Sequence, residues 1–428
     1  MFPGWIFYGW WIVAAGFGIE VLIGALMWHA YGAYVVLLRE EFGWSKTMLS
    51  AAFSMARVES GILGPVQGWL TDRFGPRALI RTGVVFFGLG FMLLSRINSP
   101  LTFFATFFMM AVGSSLMGSL PIGVALVSWF RRRRAMALGI SATGMSVGGL
   151  LTQLVVLLMT AVGWRWTAFV SGIIVLLVGL PLAQLVRRSP EPYGLTPDGD
   201  PPESIPVRGV LAPARRAAGV DFTAREAIRE RSFWFISLGH GSALLVVSAV
   251  TVHLVVHVTE RLGYSLHQAA TAVVLLTAMQ MIGHLSAGFA GDRFSKRMIC
   301  AGCLIAHAAA LLLLAAATQF WMVVAFAVIH GFSWGMRGPL MSAIRADYFG
   351  SASFGTIAGF SSMIVMFGMI IGPILAGVLA DRTGSYALGF GVLAVCAALG
   401  SVFFLLARRP EPPRRYVLAE PIADASDA

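Results

Sequence analysis

The sequence predicts an all-α integral membrane protein with twelve transmembrane helices in two pseudo-symmetric halves of six. Composition is the first indication: 57% of the 428 residues are hydrophobic and only 12% are charged, and the mean hydropathy is +0.79. Soluble globular proteins lie well outside these values. The apolar runs are continuous and roughly 20 residues long, which favours membrane-spanning helices over the alternating pattern of membrane strands.

A duplicated motif is the second indication. The segment Gly68–Arg77 (GWLTDRFGPR) recurs 220 positions later as Gly288–Arg297 (GFAGDRFSKR). Each copy separates two apolar runs at an equivalent place, so we interpret the chain as an internal duplication. Each copy is expected to form a short charged turn between helices. Glycine allows close helix contact there, aspartate can face a helix N-terminus, and arginine stays in the aqueous interface.

The N-terminal half, residues 1–187, is expected to contain six spans, at residues 10–38, 47–70, 78–97, 101–127, 136–160 and 165–187. Residues 188–232 are rich in proline and arginine, which predicts a cytoplasmic linker that ends in a short amphipathic helix. The C-terminal half, residues 233–408, is expected to contain spans at 233–258, 268–290, 298–317, 321–346, 354–379 and 385–407. The polar residues 409–428 are expected to form a disordered cytoplasmic tail.

The basic residues predict the orientation of the spans. With the N-terminus in the cytoplasm, the inner loops and tail hold 23 Lys and Arg and the outer loops hold 6. The positive-inside rule then places both termini in the cytoplasm. We therefore expect a multi-pass protein of the cell membrane (inner or plasma membrane), whose first span is retained because no basic region or cleavage site accompanies it.

Several other functions are not expected. The net charge of +11 follows from loop topology, so nucleic-acid binding is not predicted. Cys300, Cys303 and His307 can share a helix face, but a fourth metal ligand is missing and we interpret them as core residues. Lys46 and Lys296 each follow a serine, which excludes a phosphate-binding loop for ATP. With no convergent nucleophile and base outside the bilayer, neither an enzyme nor a cofactor is expected.

The two six-span halves, the long linker and the motif after the second span of each half resemble the major facilitator superfamily of secondary transporters. The resemblance covers about residues 8–408. Within the superfamily, the chain is similar to the bacterial oxalate/formate antiporter and monocarboxylate transporter group. The segments that carry this narrower likeness are Gly9–Val13, Glu41–Ser45, Trp129–Gly139, Glu191–Gly194 and Ala346–Gly350.

The resemblance implies a mechanism, in which the two halves rock about a central site and expose it alternately to each side. In the family, the aspartate of the first motif is thought to brace the outward-open state against the start of the eleventh span, a role that would fall to Asp72. The second copy departs from the family pattern because it lacks the glycine after Phe294. The gate residues implied by the two copies are Gly68, Asp72, Arg73, Arg77, Asp292 and Arg293.

Two arginines within spans are the leading candidates for substrate binding, because a charge in hydrocarbon costs a few kcal/mol or more unless it faces a cavity or a partner. Arg57 lies near the middle of the second span, on a helical stripe with Phe53, Gly61 and Gly64. Arg57 could instead pair with Glu59, with Glu20 or with a backbone carbonyl and only stabilise the bundle.

Arg337 lies about sixteen residues into the tenth span, where His330, Trp334 and Met341 fall on its helical face. The tenth span lines the central cavity in the family that the chain resembles. A guanidinium there could hold a carboxylate through two parallel hydrogen bonds.

Acidic residues in spans could carry a coupling proton. Glu20 shares a stripe with Gly24, Met27, Tyr31 and Tyr34. Glu59 is the other carboxylate that we consider, and a structural ion pair is the alternative role for Glu20.

The eighth span departs from the resembling families. They often place an arginine there, preceded in the monocarboxylate transporters by an aspartate four residues earlier, and the corresponding positions are His284 and Gln280. A lysine in the first span is also absent. A polar Gln280–His284 face could bind a hydroxylated or larger acid, and His284 could titrate near neutral pH. A hydrogen bond to a neighbouring helix is the alternative role for His284.

The leading hypothesis is a monomeric secondary transporter that moves a small organic anion, a carboxylate, by proton symport or anion exchange. Arg337 and Arg57 would supply positive potential. The pocket would be shaped by Tyr31, Tyr34, Gln280, His284 and Trp334. Two alternatives stay open: proton-driven export of amphipathic compounds or drugs, and a non-transporting membrane receptor. The expected partners are the substrate anion, protons or a counter-anion, and the lipid bilayer.

Overall fold

A computed structural model of the chain describes residues 6–200, 220–413 and 415. The described residues form the helices of twelve spans, which confirms the predicted fold of two six-helix halves. Eleven of these helices are long and apolar enough to cross a bilayer. The second span, Lys46–Phe74, is as long as its neighbours but less apolar, because it carries Arg57, Glu59, Gln67 and Asp72.

The spans of the N-terminal half are Gly9–Phe42, Lys46–Phe74, Pro76–Leu94, Pro100–Trp129, Arg134–Val162 and Trp164–Leu185. Two of them are interrupted. A π turn, Gly24–Trp28, divides the first span into helices Gly9–Ile23 and Tyr31–Phe42. Gly118 is extended and divides the fourth span into Pro100–Met117 and Ser119–Trp129. At the end of the π turn, Trp28 packs against Phe53 of the second span, with 5.2 Å between the ring centres.

The spans of the C-terminal half are Arg231–Arg261, Leu266–Arg293, Lys296–Ala315, Phe320–Phe349, Phe354–Thr383 and Tyr386–Leu406. The described parts of the linker hold two short 3-10 turns, Glu191–Tyr193 and Pro197–Gly199, and the helix Ala224–Arg229. Linker residues 201–219 lie outside the described residues, as do residues 414 and 416–428 of the tail for which disorder is expected.

The duplicated motif is mostly helical, so the expected turn over its whole length is wrong. The second span continues to Phe74, and the third begins at Pro76. Gly75 alone makes the turn at a φ of +84°, a conformation that glycine adopts without steric cost. In the second copy, Ser295 turns the chain at a φ of −63° and a ψ of 109°, so this turn does not need the missing glycine. Each aspartate therefore lies within the last turn of a long helix.

Both ends of the described chain lie at the same face of the bundle, which we call the terminal face. The Tyr8 hydroxyl donates to the carbonyl of Leu185 at the end of the sixth span, at 3.0 Å. The Tyr348 hydroxyl, at the end of the tenth span, donates to the carbonyl of Ala407 at 2.7 Å. Both motif copies are also at this face. The two six-helix bundles meet mainly along two helix pairs, the second with the eleventh span and the fifth with the eighth.

At the opposite face, Glu41 joins the end of the first span to the start of the sixth. Its carboxylate pairs with the Arg165 guanidinium at 2.7 Å and accepts from the Trp164 indole N–H at 2.5 Å. The segment Glu41–Ser45, one of those that suggested the narrower likeness, thus braces the N-terminal bundle.

Candidate functional site

Two aspartates hold the bundles together at the terminal face in a pseudo-symmetric way. Asp72, at the end of the second span, accepts from the backbone N–H groups of Gly355 at 2.9 Å and Thr356 at 2.7 Å. Asp292, at the end of the eighth span, accepts from the N–H groups of Ala135 at 2.9 Å and Met136 at 3.1 Å.

The donors are equivalent, because Gly355 and Thr356 lie 220 positions after Ala135 and Met136. Each carboxylate binds the first turn of a long helix in the other bundle, where unpaired N–H groups and the helix dipole favour a negative charge. The two contacts differ in one atom, since the Thr356 hydroxyl also donates to Asp72 at 2.7 Å. Met136 offers no such donor, so Asp72 makes the stronger contact.

Glycines bring the helices of each pair into close contact. A Cβ added at Gly68 would overlap the Gly355 carbonyl, and one added at Gly64 would lie 3.0 Å from the Gly359 carbonyl oxygen. One turn further from the terminal face, Gly61 lies against Met366. The second and eleventh spans therefore touch along the stripe Gly61, Gly64 and Gly68, and no larger residue fits at its terminal end.

An ion pair adds to the closure of the terminal face. Arg134, at the start of the fifth span, pairs with Asp347, at the end of the tenth span, at 2.5 Å. Lys296 pairs with the other Asp347 oxygen at 2.8 Å. The Arg134–Asp347 pair crosses between the bundles. Unlike the contacts of Asp72 and Asp292, it has no equivalent in the other half, where Val127 and Phe354 stand at the corresponding positions.

The arginines of the motifs do not cross between the bundles. Arg73 lies over the Trp69 ring at 5.2 Å and Arg293 over the Phe289 ring at 3.7 Å, at equivalent positions of the two copies. Arg77 donates from Nε to the Val186 carbonyl at 2.7 Å and so ties the third span to the end of the sixth. Of the expected gate residues, the two aspartates and Gly68 are thus the ones that contact the other bundle.

The linker attaches to both halves through aspartates that the sequence analysis did not single out. Asp198 accepts from the backbone N–H groups of Arg131, Arg132 and Arg133, at 2.9, 2.8 and 3.2 Å. Asp221 accepts from those of Ser351 and Ala352, at 2.7 and 3.0 Å. The signal was present in the repeat, because Ser351 and Ala352 lie 220 positions after Arg131 and Arg132.

Arg57 lies on the face of the second span that meets the C-terminal bundle. Gly61, Gly64 and Gly68, at four, seven and eleven residues further on, define this face by their contacts with the eleventh span. The guanidinium carbon lies 4.0 Å from the Trp28 ring centre and 5.3 Å from that of Phe53. Arg57 thus stands one turn beyond the Gly61–Met366 contact, on the side of the opposite face, with two aromatic rings beside it.

Neither carboxylate considered as a partner of Arg57 pairs with it. Glu59 accepts from the Gln67 amide and from the Ser115 hydroxyl, both at 2.9 Å, and faces the interior of the N-terminal bundle. Glu20 is buried against Gly144 of the fifth span. Among the described residues no ion pair includes Arg57, Glu20 or Glu59.

Arg337 does not face the space between the bundles, which corrects the expectation for this residue. Its side chain is completely buried, and its electrostatic neighbours include Cys300 and Cys303 of the ninth span and His330 of its own. The reason is the rotation of the tenth span, which turns Arg337 toward the interior of the C-terminal bundle.

The eighth span meets the fifth at the His284 backbone, whereas the Gln280 backbone lies against Gly335 of the tenth span. Gly139 of the fifth span lies against the His284 carbonyl, and Gly288 against Met136. Gln280 is half-buried one turn further from the terminal face, much as Arg57 is in the second span. The His284 ring is buried beside Gly338 of the tenth span, and its Nδ1 has no hydrogen-bond partner among the described residues.

The remaining pocket candidates divide between the two bundles. The Tyr31 hydroxyl donates to the Leu49 carbonyl at 2.5 Å, and its ring packs on Phe53. Tyr34 lines a small cavity of about 10 Å³ inside the N-terminal bundle, so it does not reach the space between the bundles. Trp334 is half-buried beside His330, with 6.4 Å between the rings.

Comparison with known proteins identifies the family. The family described as Major Facilitator Superfamily matches residues 16–283 and 236–423. Monocarboxylate transporter 11 of Homo sapiens is 26% identical over 413 residues, which cover 94% of this chain and 83% of that protein. The probable sulfoacetate transporter SauU of Cupriavidus necator is 26% identical over 385 residues, covering 86% and 87%. The fujikurins efflux protein of Gibberella fujikuroi is 23% identical over 361 residues, covering 83% and 73%.

Solved structures share the fold. The transporter FucP in its outward conformation superposes with a TM-score of 0.69 at 17% identity, covering 93% of this chain and 99% of FucP. The human organic anion transporter MFSD10 superposes with a TM-score of 0.68 at 14% identity, covering 92% and 98%.

Proposed function

The chain belongs to the major facilitator superfamily and is a transporter, not an enzyme, and within that family we propose that it moves a small organic anion, in the first place a carboxylate, by alternating access. The observation that carries the proposal is Arg57. Its charge lies on the inter-bundle face of the second span, it has no carboxylate partner among the described residues, and it is half-buried. A cation in this position is available to an anionic substrate.

The surroundings of Arg57 favour a carboxylate with a compact organic part. Trp28 and Phe53 hold the guanidinium plane by cation–π contact and leave its N–H fork free to bind two carboxylate oxygens. The amide of Gln280, which is half-buried in the eighth span, can donate to or accept from a polar substituent of the substrate. Two relatives named for monocarboxylate and sulfoacetate transport agree with an anionic substrate.

The terminal face is proposed to be the cytoplasmic face of the cell membrane, because the basic residues concentrate there. The two aspartate contacts and the Arg134–Asp347 pair then close the cytoplasmic side. The described conformation would be outward-facing, with Arg57 accessible from the outside. Transport would require these contacts to break while equivalent contacts form at the opposite face.

Two carboxylates and one imidazole are proposed as coupling groups. Glu20 and Glu59 have no cationic partner among the described residues, so each can take up a proton without breaking an ion pair. The buried His284 ring lies beside Gly338 of the tenth span, and a proton on this ring would place a charge in the packing of the eighth and tenth spans. Proton symport therefore has candidate carriers, and anion exchange at Arg57 is the alternative mode.

Export of amphipathic compounds is the second candidate, favoured by one relative that is named as an efflux protein. The two functions differ in the ligand that Arg57 would bind.

We expect saturating carboxylate to raise the Tm of the purified transporter by about 4 °C, since a ligand that binds only the folded state stabilises it.

Thermal unfolding in the presence of mono- and dicarboxylates, a sulfonated acid and a set of amphipathic cations tests this. Arg57→Gln should lose the response to the acids. Arg39→Gln, which removes an exposed arginine of the same bundle, should keep it. If only the amphipathic cations raised the Tm, export would become the favoured function in place of anion transport.

A further inference from the structure

Two arginines are buried inside the C-terminal bundle, away from the space between the bundles. Arg337 lies mid-way along the tenth span and Arg345 lies two turns nearer the terminal face. The side chain of Arg337 has no exposed surface, and Arg345 is 6% exposed. The two charges are close enough to repel each other.

No carboxylate compensates these charges. The acidic residues of the described C-terminal half all lie in loops or at helix ends, at Asp221, Glu226, Glu230, Glu260, Asp292, Asp347, Asp381 and Glu411. The one nearest in sequence, Asp347, already pairs with Arg134 and Lys296. Burying an unpaired charge in a low-dielectric interior costs several kcal/mol. A native bundle with two such charges therefore requires a counter-charge from elsewhere.

Arg345 is partly satisfied by neutral groups. Its Nη2 donates to the Ser361 hydroxyl at 2.7 Å and lies 2.9 Å from Nδ1 of His240. Ser361 in turn lies 2.9 Å from the Ser237 hydroxyl. These contacts supply hydrogen-bond acceptors but no negative charge, and Nε of Arg345 still has no partner among the described residues.

Arg337 and two histidines that feel its charge each have a buried nitrogen atom without a hydrogen-bond partner among the described residues. Nε and Nη1 of Arg337 have no partner among the described residues, and neither has Nε2 of His307 or of His330. The two histidines share a hydrogen bond between their Nδ1 atoms, at 3.0 Å. In a neutral pair one ring donates and the other accepts, so the accepting ring carries its proton on Nε2. This pair therefore offers a further N–H donor beside the guanidinium.

We propose that the C-terminal bundle binds one small inorganic anion, of the size and charge of chloride, beside Arg337. The anion would accept from the unpaired N–H groups of Arg337 and from the histidine pair, and the thiols of Cys300 and Cys303 would complete its shell as weak donors. Complete burial limits the site to a compact ion, because a carboxylate with an organic part would need a larger space. The ion would act as a structural counter-charge and not as cargo.

This site is separate from the one proposed around Arg57. Arg57 belongs to the N-terminal bundle and faces the space between the halves, whereas Arg337 faces the interior of the C-terminal bundle. Loss of chloride binding would leave carboxylate binding at Arg57 in place, and the reverse also holds. The two proposals can therefore fail independently.

Thermal unfolding of the purified full-length transporter in sodium chloride and in sodium gluconate, at equal ionic strength, tests the proposal. Gluconate is too large for the site. We expect the Tm in chloride to exceed that in gluconate by about 5 °C, and radiolabelled chloride to bind with a stoichiometry of about one ion per chain, as a single buried anion site requires. Arg337→Met should abolish both effects, and its Tm in gluconate should equal or exceed that of the unaltered chain, because the uncompensated charge is gone.

Two further variants keep the test decisive. Arg337→Lys serves as the test if Arg337→Met fails to fold. Lysine retains the charge with fewer directed donors, so this variant should keep a weaker chloride response. Arg231→Met removes an exposed arginine of the same bundle and should respond as the unaltered chain does. Equal Tm values in chloride and gluconate, or a chloride response that survives in Arg337→Met, would overturn the proposal.

Discussion

Arg57→Gln is expected to lower the kcat/KM of carboxylate uptake by about 100-fold, equivalent to ~2.7 kcal/mol. Arg57 lies on the inter-bundle face of the second span, beside Trp28 and Phe53. Glutamine is shorter and keeps a hydrogen-bond donor, but it removes the charge and the second parallel hydrogen bond. Uptake of radiolabelled substrate into proteoliposomes measures the loss.

Arg57→Lys separates the charge from the fork geometry and should lose only about 10-fold, because lysine supplies a point charge without the planar pair of donors. Arg39→Gln serves as the control, and its uptake should match that of the unaltered chain. A structural role for Arg57 would appear instead as a fall in Tm without substrate in the Gln variant and no recovery in the Lys variant. Unchanged uptake in Arg57→Gln would remove Arg57 from the site.

Asp72→Asn is expected to shift the conformational equilibrium about 30-fold away from the state that is closed at the terminal face, equivalent to ~2 kcal/mol. The carboxylate accepts three hydrogen bonds from the start of the eleventh span, and asparagine keeps only one acceptor oxygen and no charge. Asp292→Asn should shift the equilibrium less, by about 5-fold, because Asp292 lacks the third hydrogen bond that Asp72 receives from a threonine hydroxyl.

Distances between spin labels at the exposed positions Ala78 and Met298, which lie near the terminal face on opposite halves, report this equilibrium. Asp381→Asn, at an exposed position of the opposite face, is the matched control and should leave the distances unchanged. Equal shifts for Asp72→Asn and Asp292→Asn would show that the Thr356 hydroxyl adds nothing. No shift in either variant would contradict their role as gate contacts.

The repeat allowed the sequence to predict most of the fold and the equivalence of the two aspartates at the terminal face. The offset of 220 residues paired Asp72 with Asp292, and the structure pairs their helix partners by the same offset. The backbone N–H groups that bind Asp198 and Asp221 are also related by this offset, but the two contacts were not predicted. Every residue except proline has a backbone N–H group, so such a contact leaves no pattern in the side chains.

The side on which an intramembrane residue lies could be predicted only where a second pattern fixed the helix face. Arg57 shares a helical stripe with Gly61 and Gly64, and the close contact of these glycines with the eleventh span shows which face the stripe occupies. The tenth span is buried on several sides, so periodicity did not distinguish the face toward the ninth span from the face toward the other bundle. Arg337 was therefore placed in the wrong space.

The central claim is transport of an organic anion, and uptake of radiolabelled mono- and dicarboxylates into proteoliposomes tests it most directly. We expect saturable uptake of at least one acid by the unaltered chain, with a pH gradient or an internal counter-anion raising the rate, and a loss of about 100-fold in Arg57→Gln. Absence of uptake for every acid, in a preparation that exports an amphipathic compound, would contradict the claim.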